Sequence, residues 1–411
     1  MDIFAATAPG LESIAAGELK PLGVRGNQEA GGVSFSGDNR LLYLANLHLR
    51  TPSRVIVRLG QFHASTFYEF ERRAKKIPWQ NFLPANSAVG VRVTCRKSRL
   101  YHSDAVAERV LGVIAKFASP GSNLRIASAQ EDDTGSDEAD VEVRGEGGPN
   151  GDATASSQSF VVRIVNDQCE ISADSSGELL HRRGYRQEIA KAPLRETLAA
   201  AMILASGWRP DAPLIDPLCG SGTIPIEAAL IARRIAPGIR RSFQFMRWPN
   251  FDSALWKDLL SKAEAETRPT SHGGATIHGA DRDDGAIGAA TRNAGRAGVA
   301  GDIEFATRSL SASLDSLEVI ERGEGWVLTN PPYGIRVGEG ADLRNLYARL
   351  GSVAAKAEWR VGMLVAEPRL ARQAGVPLRS RFDTRNGGIP VSFLASEKGG
   401  KSAAEQPDSD G

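Results

Sequence analysis

The run Val327–Gly334 reads VLTNPPYG. Two consecutive prolines forbid both helix and further ladder pairing. An apolar strand therefore stops on a backbone held rigid at Asn330, Pro331, Pro332 and Tyr333. That turn offers two acceptors, the Asn330 side-chain oxygen and the Pro331 carbonyl, with the flat Tyr333 ring beside them. Acceptors fixed in advance suit an amine group that must be oriented before it reacts. A rigid strand-to-loop turn with a packed tyrosine is the simpler reading of the tetrapeptide alone.

A second stretch, Asp216-Pro-Leu-Cys219-Gly220-Ser221-Gly222-Thr223, leaves one predicted strand and enters a helix. Its glycines allow a tight turn and close approach of a ligand to backbone. The free N–H groups and the helix dipole favour an anionic or carboxylate-bearing partner. No Gly-Lys-Ser/Thr follows, so it is not a P-loop, and the third glycine of a dinucleotide fingerprint is absent. Asp281, in HGADRD, ends the next predicted strand, where a carboxylate can accept both hydroxyls of a ribose. Strand, glycine loop, helix and strand-end acid together imply a nucleoside cofactor. Asp216 would orient the loop or receive the cofactor's ammonium. An acid at a strand end also serves often as a helix N-cap.

The elements that carry these residues alternate. From about residue 190, helices are predicted over 192–208, 223–236 and 285–299, and strands at PLIDP, TIHGADRD, IEFATRS, GWVLTN and RVGMLVAE. Repeated β-α-β order predicts a mainly parallel, doubly wound sheet, with ligands beyond the carboxyl ends of its strands. Upstream, residues 1–65 form a small α/β unit and 66–180 a second one. An acidic Gly/Ser-rich insertion near 128–158 interrupts the second unit and is expected to be disordered, as is the tail 397–411. Residues 181–190 link the second unit to the catalytic domain, 191–396.

The 411 residues carry a net charge of +1 that is unevenly spread. Residues 128–152 hold nine acids and one Arg, and 397–411 hold four acids and two Lys, which leaves +11 on the remainder. A basic body of that kind suits a polyanion; surface arginines that only maintain solubility are the alternative. Cys95, Cys169 and Cys219 are isolated, so neither a disulfide framework nor a metal site is expected. No apolar run approaches the roughly 18 residues of a membrane span. No basic residue precedes Lys20, so the N-terminus does not read as a signal peptide and the cytoplasm is the expected compartment.

DPLCGSGT, GADRD and TNPPYG, in that order, resemble the S-adenosylmethionine-dependent methyltransferases of exocyclic base amines. HRRGYR (181–186), KAPLRETLAAAMILASGW (191–208) and IEAALIARRIAPG (226–238) are similar to the THUMP-domain RNA guanine-N2 methyltransferases, above all to the guanine-N2 half of the bacterial 23S ribosomal RNA enzyme. ATAPGLE, GGVSFSGD and PWQNF extend the resemblance to the N-terminal units. It covers about residues 1–395 apart from the insertion, and NPPY alone would be far less specific. The resemblance implies an α/β chain with a C-terminal Rossmann-like class I methyltransferase domain and N-terminal ferredoxin-like and THUMP units. It implies that Asp216, Gly220 and Gly222, with Cys219, Ser221 and Thr223 of the same loop, line the methionine portion of the cofactor. Asp281 would take the ribose and Arg282 would lie beside the adenine. Where related chains often place an acid after the following strand, this one has Arg308 and Ser309, and Ser309 would accept the hydrogen bond there. On this reading Asn330 and Pro331 hold the hydrogens of guanine N2, so that its lone pair points at the sulfonium methyl. Tyr333 stacks on the base, which must be flipped or already unstacked.

Two basic stretches are candidates for RNA. HRRGYRQEIAK carries Arg182, Arg183, Arg186 and Lys191, and 233–247 carries five Arg, among them Arg240 and Arg241, with Phe243, Phe245 and Trp248 nearby. Guanidinium groups contact phosphates and aromatics stack on unpaired bases. The competing reading pairs these arginines with acids of the catalytic domain. Large-subunit ribosomal RNA is the expected substrate, with a tRNA guanine as runner-up and a DNA adenine behind it.

Overall fold

The computed structural model describes residues 1–126, 157–188, 194–269, 277–315, 325–333, 340–356 and 359–397. The expected insertion lies almost wholly outside them, as do Gly334, Lys191 and all of the tail after Glu397.

The N-terminal half is built from β1 (Asp2–Ala6), α1 (Glu12–Leu19), β2 (Asn27–Glu29), β3 (Gly32–Ser36), α2 (Asn39–His48) and β4 (Arg54–His63). It continues with α3 (Phe67–Ala74), β5 (Ala88–Arg96), α4 (Ser103–Ile114), β6 (Leu124–Ile126), β7 (Ser157–Val165) and β8 (Gln168–Asp174). Local chemistry sets the helix starts: Asp38 accepts from the Leu41 N–H at 3.0 Å and Thr66 from the Glu69 N–H at 3.3 Å. Strand alternation turns Val55 and Val57 inward and leaves Arg54, Ile56 and Arg58 half-buried. The strands join in one sheet, ordered β2-β3-β1-β4-β8-β7-β5-β6. The two expected α/β units therefore share a sheet, joined where β4 runs antiparallel to β8 from Ile56↔Asp174 to His63↔Gln168. Sequence reading missed both joining strands. Polar residues interrupt β4 after Leu59, and β8 is the polar-looking QCEISAD.

The C-terminal half contains α5 (Glu196–Ser206), β9 (Leu214–Asp216), α6 (Thr223–Ala232), α7 (Ser253–Ala265), β10 (Ile277–Asp281), α8 (Asp284–Ala297) and β11 (Ile303–Thr307). After these come α9 (Leu310–Asp315), β12 (Trp326–Thr329), α10 (Gly340–Lys356), β13 (Arg360–Val365), α11 (Pro368–Ala371), β14 (Leu378–Asn386) and β15 (Ile389–Ser396). The sheet order is β11-β10-β9-β12-β13-β15-β14. Strands β9 to β13 are mutually parallel, and β15 runs antiparallel to both neighbours. The chain leaves β9 first to one side and later to the other, so β9 lies at the point where the strand order reverses. The expected doubly wound sheet is present. The β14–β15 hairpin was not anticipated.

Residues 236–265 depart from the expectation. Phe243, Phe245 and Trp248, read from sequence as stacking surfaces for bases, are 3%, 0% and 4% exposed and belong to the core of the N-terminal half. The Phe245 ring stacks on Tyr43 at 4.4 Å and on Phe243 at 5.4 Å, with Trp256 edge-on at 5.5 Å. Trp248 donates from Nε1 to Gln158 Oε1 at 2.7 Å, and the Phe245 N–H donates to the Ser175 carbonyl at 3.0 Å. The aromatics therefore serve as an apolar clamp between the two halves. Phe245→Ala should cost about 3–5 kcal/mol, whereas Arg247→Ala, exposed on the same segment, should stay within about 0.5 kcal/mol; urea unfolding of both variants checks the contrast.

Candidate active site

The carboxyl ends of β9, β10 and β12 open onto one cavity of about 950 Å³. Its wall brings together Asp216, Cys219, Gly220, Ser221 and Thr223 from the glycine loop, Asp281 and Arg282 after β10, and Ser309 after β11. Asn330, Pro331, Pro332 and Tyr333 face the same space. Residues drawn from a span of over a hundred positions thus meet at one sheet edge.

Asp216 is 2% exposed. Its Oδ1 accepts from the Thr329 hydroxyl at 2.7 Å and from the Leu218 N–H at 3.1 Å. Burial nevertheless pushes its carboxyl up to about 7, and the nearby Asp281 adds to the rise. Cys219 is buried beside these acids, which holds its thiol well above the usual range and therefore protonated. Gly222 lies behind the wall at φ +86°, and a Cβ there would meet the Ala290 Cβ at 2.9 Å. This glycine is needed for the seating of α6 against α8. Asn293 on α8, which sequence reading did not single out, holds the loop from behind by donating to the Ser221 carbonyl at 3.1 Å.

Asp281 is half-buried at the end of β10. Its Oδ2 accepts from the Gly220 N–H and its Oδ1 from the Asp283 N–H, both at 3.0 Å. It ties the glycine loop to β10 and keeps lone pairs for a ligand. The N-cap of α8 is Asp283, which accepts from the Gly285 and Ala286 N–H groups. Asp281 is thus spared the capping duty that a strand-end acid often has. Ser309 reaches the cavity but its hydroxyl also accepts from the Ala312 N–H at 3.3 Å, within the first turn of α9.

At the opposite wall, Tyr333 donates its hydroxyl hydrogen to Asn330 Oδ1 at 2.8 Å. Its ring packs against the core of the C-terminal half, and burial pushes the phenol up to about 12. Asn386 also lines the cavity and donates to the Tyr333 oxygen at 2.9 Å. Nothing in the sequence marks Asn386 except the Asn-Gly-Gly turn it opens.

The expected RNA-contact residues divide. Arg183 is 4% exposed, lies 3.3 Å from Glu227 and donates to the Arg50 carbonyl at 2.7 Å. Arg186 pairs with buried Glu196 at 2.9 Å. Arg241 donates to the carbonyls of Glu178, Leu179 and Arg182. These three are withdrawn into the joint between the halves, which corrects their expected placement on an RNA-facing surface; Arg183 and Arg186 follow the competing reading, in which the arginines pair with acids of the catalytic domain, and Arg241 meets backbone carbonyls instead. For Arg183 and Arg186 the physical reason is the buried acids Glu227 and Glu196 beside them, and for Arg241 it is the backbone carbonyls that it satisfies. Arg182 and Arg240 remain exposed, with Arg240 bonded to the Arg296 carbonyl. Lys191 lies outside the described residues.

The raised Asp216 carboxyl has a consequence for stability. In the unfolded chain it loses its proton near the ordinary 3.8, but in the folded protein only near 7. The folded state thus binds the extra proton between those values, and stability falls as pH rises through that window. Asp216→Asn should flatten this part of the profile, read as urea midpoints between pH 4 and 7.5, while any slope from Glu196, raised in the same direction, persists.

Comparison with known proteins agrees with this arrangement. A family model described as the RMKL-like methyltransferase domain matches residues 183–388, and one described as the RlmL ferredoxin-like domain matches residues 2–56. A Synechocystis protein named as a candidate RNA methyltransferase is 34% identical over 398 residues, covering 96% of both chains. The ribosomal RNA large subunit methyltransferase K/L of Syntrophotalea carbinolica is 33% identical over 403 residues, which is 95% of this chain and 53% of that protein. The crystal structure of the candidate methyltransferase SMU.472 with S-adenosylhomocysteine superposes with a TM-score of 0.79 at 27% identity, covering 98% of this chain and 99% of that one. Glycine loop, strand-end acid and NPPY turn lie within the first matched model, and the chain belongs to the RMKL-like methyltransferase family.

Proposed function

We propose that the protein transfers a methyl group from S-adenosylmethionine to the exocyclic N2 of a guanine in RNA, in the cytoplasm, with 23S ribosomal RNA as the substrate. The observation that carries the reading is the single cavity in which the glycine loop and Asp281 face Asn330 and Tyr333. The relatives' names, RNA methyltransferase and large-subunit methyltransferase K/L, support the RNA class.

The residues fit the cofactor. Asp216 is a buried carboxylate that borders the cavity and is raised by desolvation, so an ammonium there would supply its missing counter-charge. Asp281 has lone pairs left for ribose hydroxyls, and Arg282 and Ser309 border the space where an adenine would lie. When bound, the cofactor supplies an electrophilic methyl on a sulfonium. The remaining chemistry belongs to the chain. The guanine amine is a poor nucleophile because its lone pair is delocalised into the ring. Asn330 Oδ1 and the Pro331 carbonyl accept the two amine hydrogens and turn the lone pair out of the ring plane. The prolines hold both acceptors in place before the base arrives. The Tyr333 ring offers a face for the base to stack on. No strong base is needed, since the methylated amine is acidic and loses its proton to solvent or through Asn330.

RNA contact is proposed for the second N-terminal unit, read as a THUMP domain, and for the exposed Arg182 and Arg240. In that unit Tyr68 and Tyr101 are 75% and 67% exposed. Arg72 lies 5.9 Å from the Tyr68 ring and Arg109 5.4 Å from the Phe67 ring, an aromatic and cationic surface suited to single-stranded RNA.

Mass spectrometry of nucleosides from ribosomal RNA and tRNA of deletion and parent strains tests the substrate. A missing N2-methylguanosine in 23S RNA is expected, and a loss confined to tRNA or to methyladenosine would overturn the assignment. Asn330→Ala should lower turnover by about 10²–10³-fold with cofactor affinity intact. Asp281→Ala should instead weaken cofactor binding, measured by calorimetric titration.

A further inference from the structure

Asn386, Tyr333 and Asn330 form a directional file of hydrogen bonds. Asn386 Nδ2 donates to the Tyr333 oxygen at 2.9 Å, and the Tyr333 O–H donates to Asn330 Oδ1 at 2.8 Å. Asn386 sits 53 residues from Tyr333 along the chain, at the turn between β14 and β15, and all three residues border the cavity. We propose that Asn386 is a positioning residue for the methyl transfer, setting through Tyr333 which way the Asn330 amide oxygen points.

A phenol hydrogen can turn about the C–O bond toward whichever neighbour accepts it. One neighbour of this hydroxyl is Asn330 Oδ1, an acceptor. The other is the Asn386 N–H₂ group, which has no acceptor to offer. The hydrogen is therefore held toward Asn330. That bond in turn stops the Asn330 amide from flipping, since a flip would set an N–H₂ group against the tyrosine hydrogen. It occupies one lone pair of Oδ1 and leaves the other for a substrate amine hydrogen. Burial keeps Tyr333 protonated at ordinary pH, and the neighbouring ring, Tyr347, is pushed up as well.

This inference rests on the amine-methylation reading for its kinetic consequence, but the direction of the file can be tested without substrate. Asn386→Asp is nearly isosteric yet replaces the donor by a carboxylate that accepts. The tyrosine hydrogen then turns to residue 386 and Asn330 loses it. Asn386→Ala merely removes the blocking donor. Asp should thus be worse than Ala, the reverse of what a role in shape or packing gives. With RNA substrate and saturating S-adenosylmethionine, single-turnover methyl transfer should slow roughly tenfold in Asn386→Ala and roughly a hundredfold in Asn386→Asp. Cofactor affinity should not change. Lowering the pH should bring Asn386→Asp back toward wild type, because the protonated acid donates again; rates are taken relative to wild type at each pH, since Asp216 also titrates near 7. In a Tyr333→Phe background the two substitutions should become equivalent.

Nuclear magnetic resonance of protein labelled with ¹⁵N-asparagine gives the second readout. The Asn330 side-chain amide signal, assigned by its loss in Asn330→Asp, should move alike in Tyr333→Phe and Asn386→Asp and less in Asn386→Ala. An Asn330 signal unmoved by Asn386→Asp, an Asp variant no slower than the Ala variant, or a difference that survives Tyr333→Phe would overturn the proposal. If methyl appears on another base, the guanine assignment fails while the order of variants still decides the role of Asn386. If wild type methylates nothing, the amide signal alone decides it.

Discussion

The hydrogen bond from the Thr329 hydroxyl to Asp216 Oδ1 joins the two halves of the site. Both residues are buried, and they end neighbouring parallel strands, β12 and β9. Thr329 directly precedes Asn330, and Asp216 opens the glycine loop. One short contact therefore fixes the distance between the loop and the proline turn. A carboxylate in that position is costly, because burial opposes its charge. The Thr329 hydroxyl and the Leu218 N–H, both donating to Oδ1, offset part of that cost.

Around this contact the fold supplies rigidity from behind. Asp281 ties Gly220 to β10, Asn293 ties Ser221 to α8, and Gly222 lets α6 approach Ala290 without a side chain between them. Each of these holds the backbone and leaves the cavity-facing atoms free. Among the described residues the proline turn makes no such backbone bonds, and the prolines and the Tyr333 hydroxyl give it order. The loop side is thus positioned by secondary structure and the turn side by side chains.

The basic residues carry a different lesson. HRRGYR looks in sequence like a polyanion-binding segment, but Arg183 and Arg186 run inward to Glu227 and Glu196. Phe243, Phe245 and Trp248 likewise run inward to Tyr43, Phe82 and Trp256. An arginine or an aromatic has the same sequence signature whether it meets a ligand or a core. Which it meets depends on partners hundreds of residues away in some cases, such as Tyr43 for Phe245.

By itself the sequence determined the parallel α/β layers, the glycine loop, the strand-end acid and the proline turn. Each of these is local: periodicity, a glycine pair, or two prolines after an apolar run specify it within a dozen residues. Tertiary structure alone decided that β4 and β8 merge the N-terminal units into one sheet, that the arginines of the linker face inward, and that Asn386 stands behind Tyr333. Those outcomes rest on strand pairing and burial between distant segments, where the free energy belongs to the contact and neither partner's own sequence records it.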